Sequence, residues 1–197
     1  MMKMPYDILY MSRILKDKLF ATKLDQISKK KVERMGYLPA GPLTNLYKLT
    51  YRPTNIVDSI YLGNAYNACN LNDLESDNIG MIINITEEIP NYYPDKFNYY
   101  NIHTMDDNDH HIKEFINDAL EYILNYQKKS NKNILVHCFM GSSRSAAIVV
   151  AYYSLKYNKS IDESIKYVKD KRWIVNINVT FIQDLMEWRQ EYNIPGF

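Results

Sequence analysis

The sequence predicts an α/β fold in which helices flank a central, mainly parallel sheet, with a short helical extension at the N-terminus. Short apolar, β-branched segments alternate along the chain with segments whose apolar residues recur at helical spacing. Alternation of this kind is typical of parallel sheets that carry helices on both faces. The length of 197 residues suits one well-buried domain and is too short for two of ordinary size.

Residues 1–50 differ from the rest and are interpreted as a helical N-terminal extension and linker. The apolar residues of the extension recur at helical spacing, at Ile8, Met11, Leu15 and Leu19. A segment with two prolines and a glycine at 38–43 then breaks the pattern. We therefore predict a main domain over 51–197. Because the apolar stripe of the extension needs a cover, a homodimer through this helix is one hypothesis.

The elements of the main domain follow from short apolar runs and from helical spacing. Strands are predicted at Ile56–Leu62 (one strand or a tight pair), Met81–Ile85, Phe97–Ile102 and Ile134–Val136. Helices are predicted over Ala65–Leu74, 112–124, Ser143–Lys156, from Ser160 onward, and from Thr180 to about Tyr192. Acidic residues at 162 and 163 favour a helix start at Ser160, because the helix dipole stabilises negative charge in the first turn.

Composition and charge exclude several classes of function. The formal net charge is +1, so bulk attraction gives no reason to expect a nucleic acid or a membrane as partner. The two cysteines, Cys69 and Cys138, form no disulfide framework. The first 20 residues lack the continuous apolar stretch of a signal peptide, and no apolar run is long enough to span a bilayer. We expect a soluble, intracellular, cytoplasmic protein.

The segment that carries chemistry runs from Ile134 to Ala146 and reads ILVHCFMGSSRSA. It is a buried strand, a cysteine, five residues that include small side chains, an arginine and a helix. A loop between the carboxyl end of a strand and the N-terminus of a helix directs backbone N–H groups inward and can hold an anion. We call residues 138–144 the cradle loop. Its members Phe139, Met140, Gly141, Ser142 and Ser143 would surround a phosphate, and Arg144 could grip two phosphate oxygens with its planar fork.

The same surroundings make Cys138 a nucleophile. The helix N-terminus and the nearby guanidinium favour the thiolate, which at the base of the cradle loop is aimed at phosphorus. Ser145 can donate a hydrogen bond to the sulfur when it leaves. His137 precedes the nucleophile on the strand, and we expect it to order the loop through hydrogen bonds to the backbone.

The reaction also needs a proton for the leaving group, which a carboxylic acid near the cradle loop could supply. Asp106, Asp107 and Asp109 lie together on a loop after a strand, and spacing alone does not rank them. Histidines 103, 110 and 111 lie on or near this loop. The pattern around them does not have the ligand spacing of a structural metal site, so no metal or other cofactor is predicted.

The motif His137-Cys138-x5-Arg144-Ser145 resembles the signature of the cysteine-based protein phosphatases, and its surroundings resemble the dual-specificity branch. The similarity runs from about Ile56 to Trp188, and matching positions are found in 56–65, in 81–85, at Arg172 and in the Asn178-x-x-Phe181 segment. Ile177 replaces the proline that this family usually has before the asparagine. In layout the chain is similar to the small viral-type, or atypical, dual-specificity phosphatases.

This resemblance implies a dual-specificity phosphatase fold and a catalytic domain over 51–197. It implies Asp106 as the general acid and base, with Asp107 as the alternative, and leaves Asp109 as an N-cap of the next helix. The implied activity is hydrolysis of phosphotyrosine and phosphoserine or phosphothreonine in proteins, because the cradle loop carries no extra basic residue. The alternatives are a phosphatase of RNA 5′ ends or inositol lipids, and a phosphoprotein-binding module without catalysis.

Overall fold

The computed structural model of the chain describes residues 52–191. The predicted N-terminal helix, its linker and the homodimer hypothesis that depends on them fall on residues 1–50 and lie outside this range.

Within residues 52–191, five strands form one sheet in the order β1-β2-β5-β3-β4. They are β1 (Thr54–Val57), β2 (Ile60–Gly63), β3 (Ile79–Asn84), β4 (Asn98–Asn101) and β5 (Asn133–His137). β1 and β2 are antiparallel, whereas the three other neighbouring pairs are parallel. The predicted mainly parallel sheet is confirmed, and the first predicted strand is a tight antiparallel pair.

Six helices accompany the sheet in the described range. They are α1 (Ala65–Cys69), α2 (Leu71–Ser76), α3 (Lys113–Lys129), α4 (Arg144–Tyr157), α5 (Ile161–Lys171) and α6 (Val179–Glu191). The single helix predicted over 65–74 is two helices, because Asn70 has extended backbone angles and its side chain accepts a hydrogen bond from the Asp73 N–H. The start of α5 is as predicted: Ser160 and Glu163 form a reciprocal capping box.

The sheet has a core on each face because side chains alternate along a strand. Ile83 and Val136 point into the main core, which α3, α4, α5 and α6 cover. Ile82 and Leu135 point into a smaller core that includes residues of α1 and α2. Helix α4 is buried along its whole first part, from Arg144 to Tyr152, which explains why its sequence is apolar on most sides.

The topology brings three loops to one edge of the sheet. β3, β4 and β5 are parallel, so their carboxyl ends lie side by side. The chain leaves them towards Glu88, towards Asp106 and into the cradle loop, respectively. In open α/β sheets this edge is where ligands bind. Within residues 52–191, no helix combines the length and the apolar character that crossing a membrane requires.

Candidate active site

Cys138 lies at the carboxyl end of β5, at the base of the cradle loop. Its side chain is 1% exposed. The sulfur accepts two hydrogen bonds, from the Gly141 N–H at 3.2 Å and from the Ser145 hydroxyl at 3.2 Å. Both donors would stabilise negative charge on the sulfur. The structure therefore brings together three of the residues that the sequence singled out.

The shape of the cradle loop depends on Gly141. Its φ is +69°, a backbone region that residues with a side chain rarely adopt, and a Cβ at this position would collide with the carbonyl of Gly63. The Gly141 carbonyl accepts a hydrogen bond from Nε of the buried Arg172 at 3.2 Å. The next carbonyl, of Ser142, accepts one from the Asn176 N–H at 2.8 Å. These contacts hold the two peptide units that directly follow the one whose N–H faces the sulfur.

The first part of the loop is held by backbone contacts. The Phe139 carbonyl accepts a hydrogen bond from the Ala65 N–H at 3.1 Å, and the Phe139 side chain is buried, whereas that of Met140 is half-buried. His137 is buried, with Nδ1 3.4 Å from the Cys138 carbonyl oxygen. Burial lowers the pKa of His137 to about 4, and the positive charge of Arg144 acts in the same direction. The imidazole is therefore neutral at pH 7.

Arg144 is 4% exposed, and only some of its donors have protein partners among the described residues. Glu88 binds the guanidinium end-on, with distances of 3.1 Å to Nη1 and 2.8 Å to Nη2. The Thr104 carbonyl takes a second bond from Nη1 at 3.1 Å. Nε is buried and has no hydrogen-bond partner within residues 52–191. Of the five guanidinium donors, Nε–H and the second Nη2–H form the edge that these partners do not use.

Asp106 contacts the cradle loop directly. Its Oδ1 accepts a hydrogen bond from the Ser143 hydroxyl at 2.8 Å and another from Nδ2 of Asn178 at 3.0 Å. Ser143 is fully buried and belongs to the cradle loop, one residue before Arg144. The structure thus joins the predicted acid to the predicted phosphate-binding residues.

The Asp107 carboxylate is bound within its own loop. Oδ1 accepts hydrogen bonds from the backbone N–H groups of Asp109 and His110 and lies 2.7 Å from Nδ1 of His110. Burial alone would raise the pKa of Asp107, but these hydrogen bonds outweigh it and hold the pKa below its ordinary value. The contacts of Asp107 close the turn, in contrast to those of Asp106.

The prediction that Asp109 caps the next helix is wrong. Helix α3 begins at Lys113, and its N-cap, Ile112, makes no side-chain capping bond. The cap comes instead from Asp184 on α6, whose Oδ2 accepts from the N–H groups of Ile112 at 2.6 Å and Lys113 at 3.3 Å. A carboxylate from a distant helix therefore does what a local side chain was expected to do.

Glu88 is the site residue that the sequence reasoning missed. It lies 56 positions from Arg144, so no local motif joins the two. One signal was available, because Glu88 follows the carboxyl end of a buried strand next to β5, where parallel sheets gather functional side chains. Asp184 carries no such signal, since it reads as one polar position of an amphipathic helix.

Two of the three histidines near the aspartate loop have carboxylate partners. Nδ1 of His110 faces Asp107, and Nδ1 of His111 lies 2.8 Å from Oδ1 of Asp184. In the part of the chain that the structure describes, no group of three or more His, Cys, Asp or Glu side chains is arranged to hold a metal ion.

Comparison with known sequences identifies relatives that match most of this domain. Residues 60–191 match the family described as the dual specificity phosphatase catalytic domain. The human protein phosphatase Slingshot homolog 2 is 37% identical over 137 residues, and Slingshot of Drosophila melanogaster is 35% identical over 133 residues. These alignments cover 70% and 68% of this chain, but only 10% and 13% of the relatives.

Solved structures show the same fold. The human tyrosine phosphatase-like serine/threonine/tyrosine-interacting protein superimposes with a TM-score of 0.69 at 26% identity, covering 73% of this chain and 99% of that one. The structure of DUSP15 gives a TM-score of 0.65 at 29% identity, covering 73% of this chain and 97% of that one. The similarity therefore spans the whole domain of these proteins.

Proposed function

Because the chain belongs to the dual specificity phosphatase family, we propose that it hydrolyses phosphotyrosine and phosphoserine or phosphothreonine in proteins through a phosphocysteine on Cys138. One observation carries the proposal. A buried sulfur that accepts two hydrogen bonds lies six residues before a buried arginine whose Nε has no partner among the described residues. A nucleophile beside an unsatisfied oxyanion-binding edge is the arrangement that phosphoryl transfer to sulfur requires.

Arg144 binds the phosphate in this proposal. Its Nε–H and second Nη2–H can donate to two phosphate oxygens side by side, while Glu88 and Thr104 hold the other end of the guanidinium. Since the partners of Arg144 keep it in this orientation before substrate binds, little reorganisation is needed when charge develops on phosphorus.

In the first step the Cys138 thiolate attacks phosphorus, and the bond from phosphorus to the leaving oxygen breaks. Asp106 supplies the proton that the leaving oxygen needs. Its hydrogen bonds to Ser143 and Asn178 support this assignment over Asp107, whose carboxylate is bound within its own loop. The products are the free hydroxyl of the substrate and phosphocysteine.

In the second step water attacks the phosphocysteine. Asp106, now a carboxylate, takes a proton from the water, and the bond from phosphorus to sulfur breaks. The Ser145 hydroxyl, 3.2 Å from the sulfur, donates a hydrogen bond that stabilises the departing thiolate. Inorganic phosphate leaves, and Cys138 returns to its starting state.

The preference for phosphoproteins rests on the cradle loop and on the relatives. The side chains from Phe139 to Ser143 add no positive charge to that of Arg144, whereas a polyanionic RNA end or inositol lipid would gain from further basic groups. The Slingshot relatives are named protein phosphatases. RNA 5′ ends and inositol lipids are the substrates to test against this preference.

A binding module without catalysis is the second candidate. One structural neighbour, 26% identical, is named a phosphatase-like, interacting protein. The present chain keeps Cys138 and Arg144 with their contacts, which favours turnover over binding alone.

The test is hydrolysis of a small aryl phosphate and of phosphotyrosyl and phosphoseryl peptides in the presence of a metal chelator. We expect activity that chelator does not remove and that Cys138→Ser abolishes. Cys138→Ser should still bind the phosphopeptide, because the cradle loop and Arg144 are unchanged. Binding by both proteins without hydrolysis by either would favour the module.

A further inference from the structure

Asn178 occupies a junction between the last helix and the predicted acid. Its Oδ1 accepts a hydrogen bond from the Phe181 N–H at 2.8 Å, which caps the N-terminus of α6. Its Nδ2 donates to Asp106 Oδ1 at 3.0 Å and lies 3.4 Å from the Asp107 carbonyl oxygen. The oxygen of the Asn178 amide therefore caps α6, whereas its nitrogen binds Asp106.

Backbone groups fix the direction of both hydrogen bonds to Asp106. A backbone N–H can only donate, so the N–H of Phe181 requires the oxygen of the Asn178 amide on its side and leaves Nδ2 facing Asp106. The backbone N–H of Asn178 donates to the Ser143 hydroxyl oxygen at 3.1 Å. The Ser143 proton is thus directed to Asp106, 2.8 Å away.

We propose that Asn178 is a positioning residue that, together with Ser143, determines which oxygen of Asp106 carries the catalytic proton. Oδ1 accepts two hydrogen bonds, which occupy both of its lone pairs. The acid form of Asp106 therefore carries its proton on Oδ2, and the carboxyl group cannot rotate without breaking both bonds. The inference rests on the proposed function, since it assumes that Asp106 is the proton donor.

The variant that isolates this role is Asn178→Asp. Aspartate has the same shape and caps a helix as well as asparagine does, so the bond to Phe181 is kept. It replaces the Nδ2 donor with a carboxylate oxygen about 3 Å from Asp106, and the two like charges compete for one proton. The free energy of unfolding of this variant then shows whether the helix cap is kept. Its rates with substrates that need a proton show whether Asp106 is still positioned.

The chain offers a matched control in Asn70. It caps α2 with its oxygen, and its Nδ2 donates to the Asp73 carboxylate at 2.7 Å. Asn70→Asp therefore makes the same chemical change at another position. The cap of α2 is kept, and the Nδ2 donor beside the Asp73 carboxylate is lost.

The experiment compares kcat/KM for an alkyl phosphate, which needs a proton on its leaving group, with that for an activated aryl phosphate, which needs little help. We expect Asn178→Asp to lower the alkyl-to-aryl ratio by about tenfold, the effect of losing one hydrogen bond to a charged group. Asn70→Asp should leave the ratio unchanged. If Asn178→Asp does not fold, Asn178→Ser replaces it, because serine keeps a capping oxygen and lacks the Nδ2 group that reaches Asp106. We expect the same decrease in the alkyl-to-aryl ratio for this variant.

The outcomes separate the inference from the proposed function. If Asp106→Asn lowers the ratio and the Asn178 variant does not, Asn178 is a helix cap alone and the inference is wrong. If Asp106→Asn itself leaves the ratio unchanged, the assignment of the acid falls and the inference falls with it. A purely structural role of Asn178 would lower both rates equally.

Discussion

The Glu88 carboxylate binds the Arg144 guanidinium end-on, with Oε1 2.8 Å from Nη2 and Oε2 3.1 Å from Nη1. The arginine is 4% exposed and the glutamate 21%, so the pair is largely withdrawn from water. It joins the loop after β3 to the cradle loop after β5. Glu88 thereby fixes the orientation of the guanidinium, whose Nε has no partner among the described residues.

Replacing Glu88 with glutamine should weaken phosphate binding. The amide can accept only one of the two guanidinium bonds, so Arg144 loses its fixed orientation and its counterion. We expect the inhibition constant of inorganic phosphate and the KM for an aryl phosphate each to rise about tenfold. Glu87→Gln is the matched control, because it removes the same charge from an exposed neighbour. Equal effects of the two variants would contradict the positioning role of Glu88.

Asp106→Asn should slow the first step most for substrates whose leaving group depends most on receiving a proton. Alkyl phosphates have poor leaving groups and should lose about 100-fold or more in kcat/KM, whereas activated aryl phosphates should lose far less. Asp107→Asn should affect both substrates alike, because the Asp107 carboxylate holds the turn around His110. Steady-state kinetics with both substrates decide between them, and the reverse pattern would assign the acid to Asp107.

Folding stability should fall between about pH 6.5 and pH 4 because of His137. Burial lowers the pKa of His137 from 6.5 to about 4, so the unfolded chain binds a proton in this range and the folded protein does not. The free energy of unfolding should therefore decrease by roughly 3 kcal/mol as the pH falls through this window. Urea titrations at several pH values should show a smaller decrease for His137→Gln. His103→Gln is the control, because His103 is exposed. Identical pH profiles for His137→Gln and the unchanged protein would contradict the prediction.

Asp184→Ala should destabilise the domain although Asp184 lies away from the sulfur. It removes the carboxylate that caps α3 and leaves the buried N–H of Ile112 without that partner. We expect the free energy of unfolding to fall by roughly 2 kcal/mol. Asp109→Ala should change it by less than about 0.5 kcal/mol, since Asp109 is exposed and does not cap the helix. Thermal unfolding of the two variants makes the comparison. A larger loss of stability for Asp109→Ala than for Asp184→Ala would indicate that Asp109 caps the helix after all.

Local features of the sequence predicted the sheet and the cradle loop because their signals lie within a few residues. Cys138 and Arg144 are six positions apart, and the apolar strand before them marks their place in the fold. The bond from Glu88 to Arg144 spans 56 positions, and that from Asp184 to Ile112 spans 72. Such contacts form only when distant elements pack, and hydrophobic spacing does not encode them.

Two other features have different causes. The apolar spacing predicted one helix over 65–74, but Asn70 divides it into two. Its side chain hydrogen-bonds to the backbone more favourably outside a helix. Ile177, which replaces the proline usual in the family, is buried in the main core, so packing holds this turn where proline would stiffen it.

The central proposal, a phosphocysteine on Cys138, is tested most directly by trapping the intermediate in Ser145→Ala. This variant loses the hydroxyl that assists departure of the sulfur, so the first step should outrun the second. Rapid quenching in a denaturant at mildly alkaline pH, where the phosphorus–sulfur bond is more stable than in acid, is followed by mass spectrometry of the peptide that contains Cys138. One added phosphoryl group is expected after mixing with an activated aryl phosphate. The same peptide from Cys138→Ser/Ser145→Ala should carry none. Steady hydrolysis by Ser145→Ala with no phosphoryl group on Cys138, or with one on another residue, would contradict the proposal.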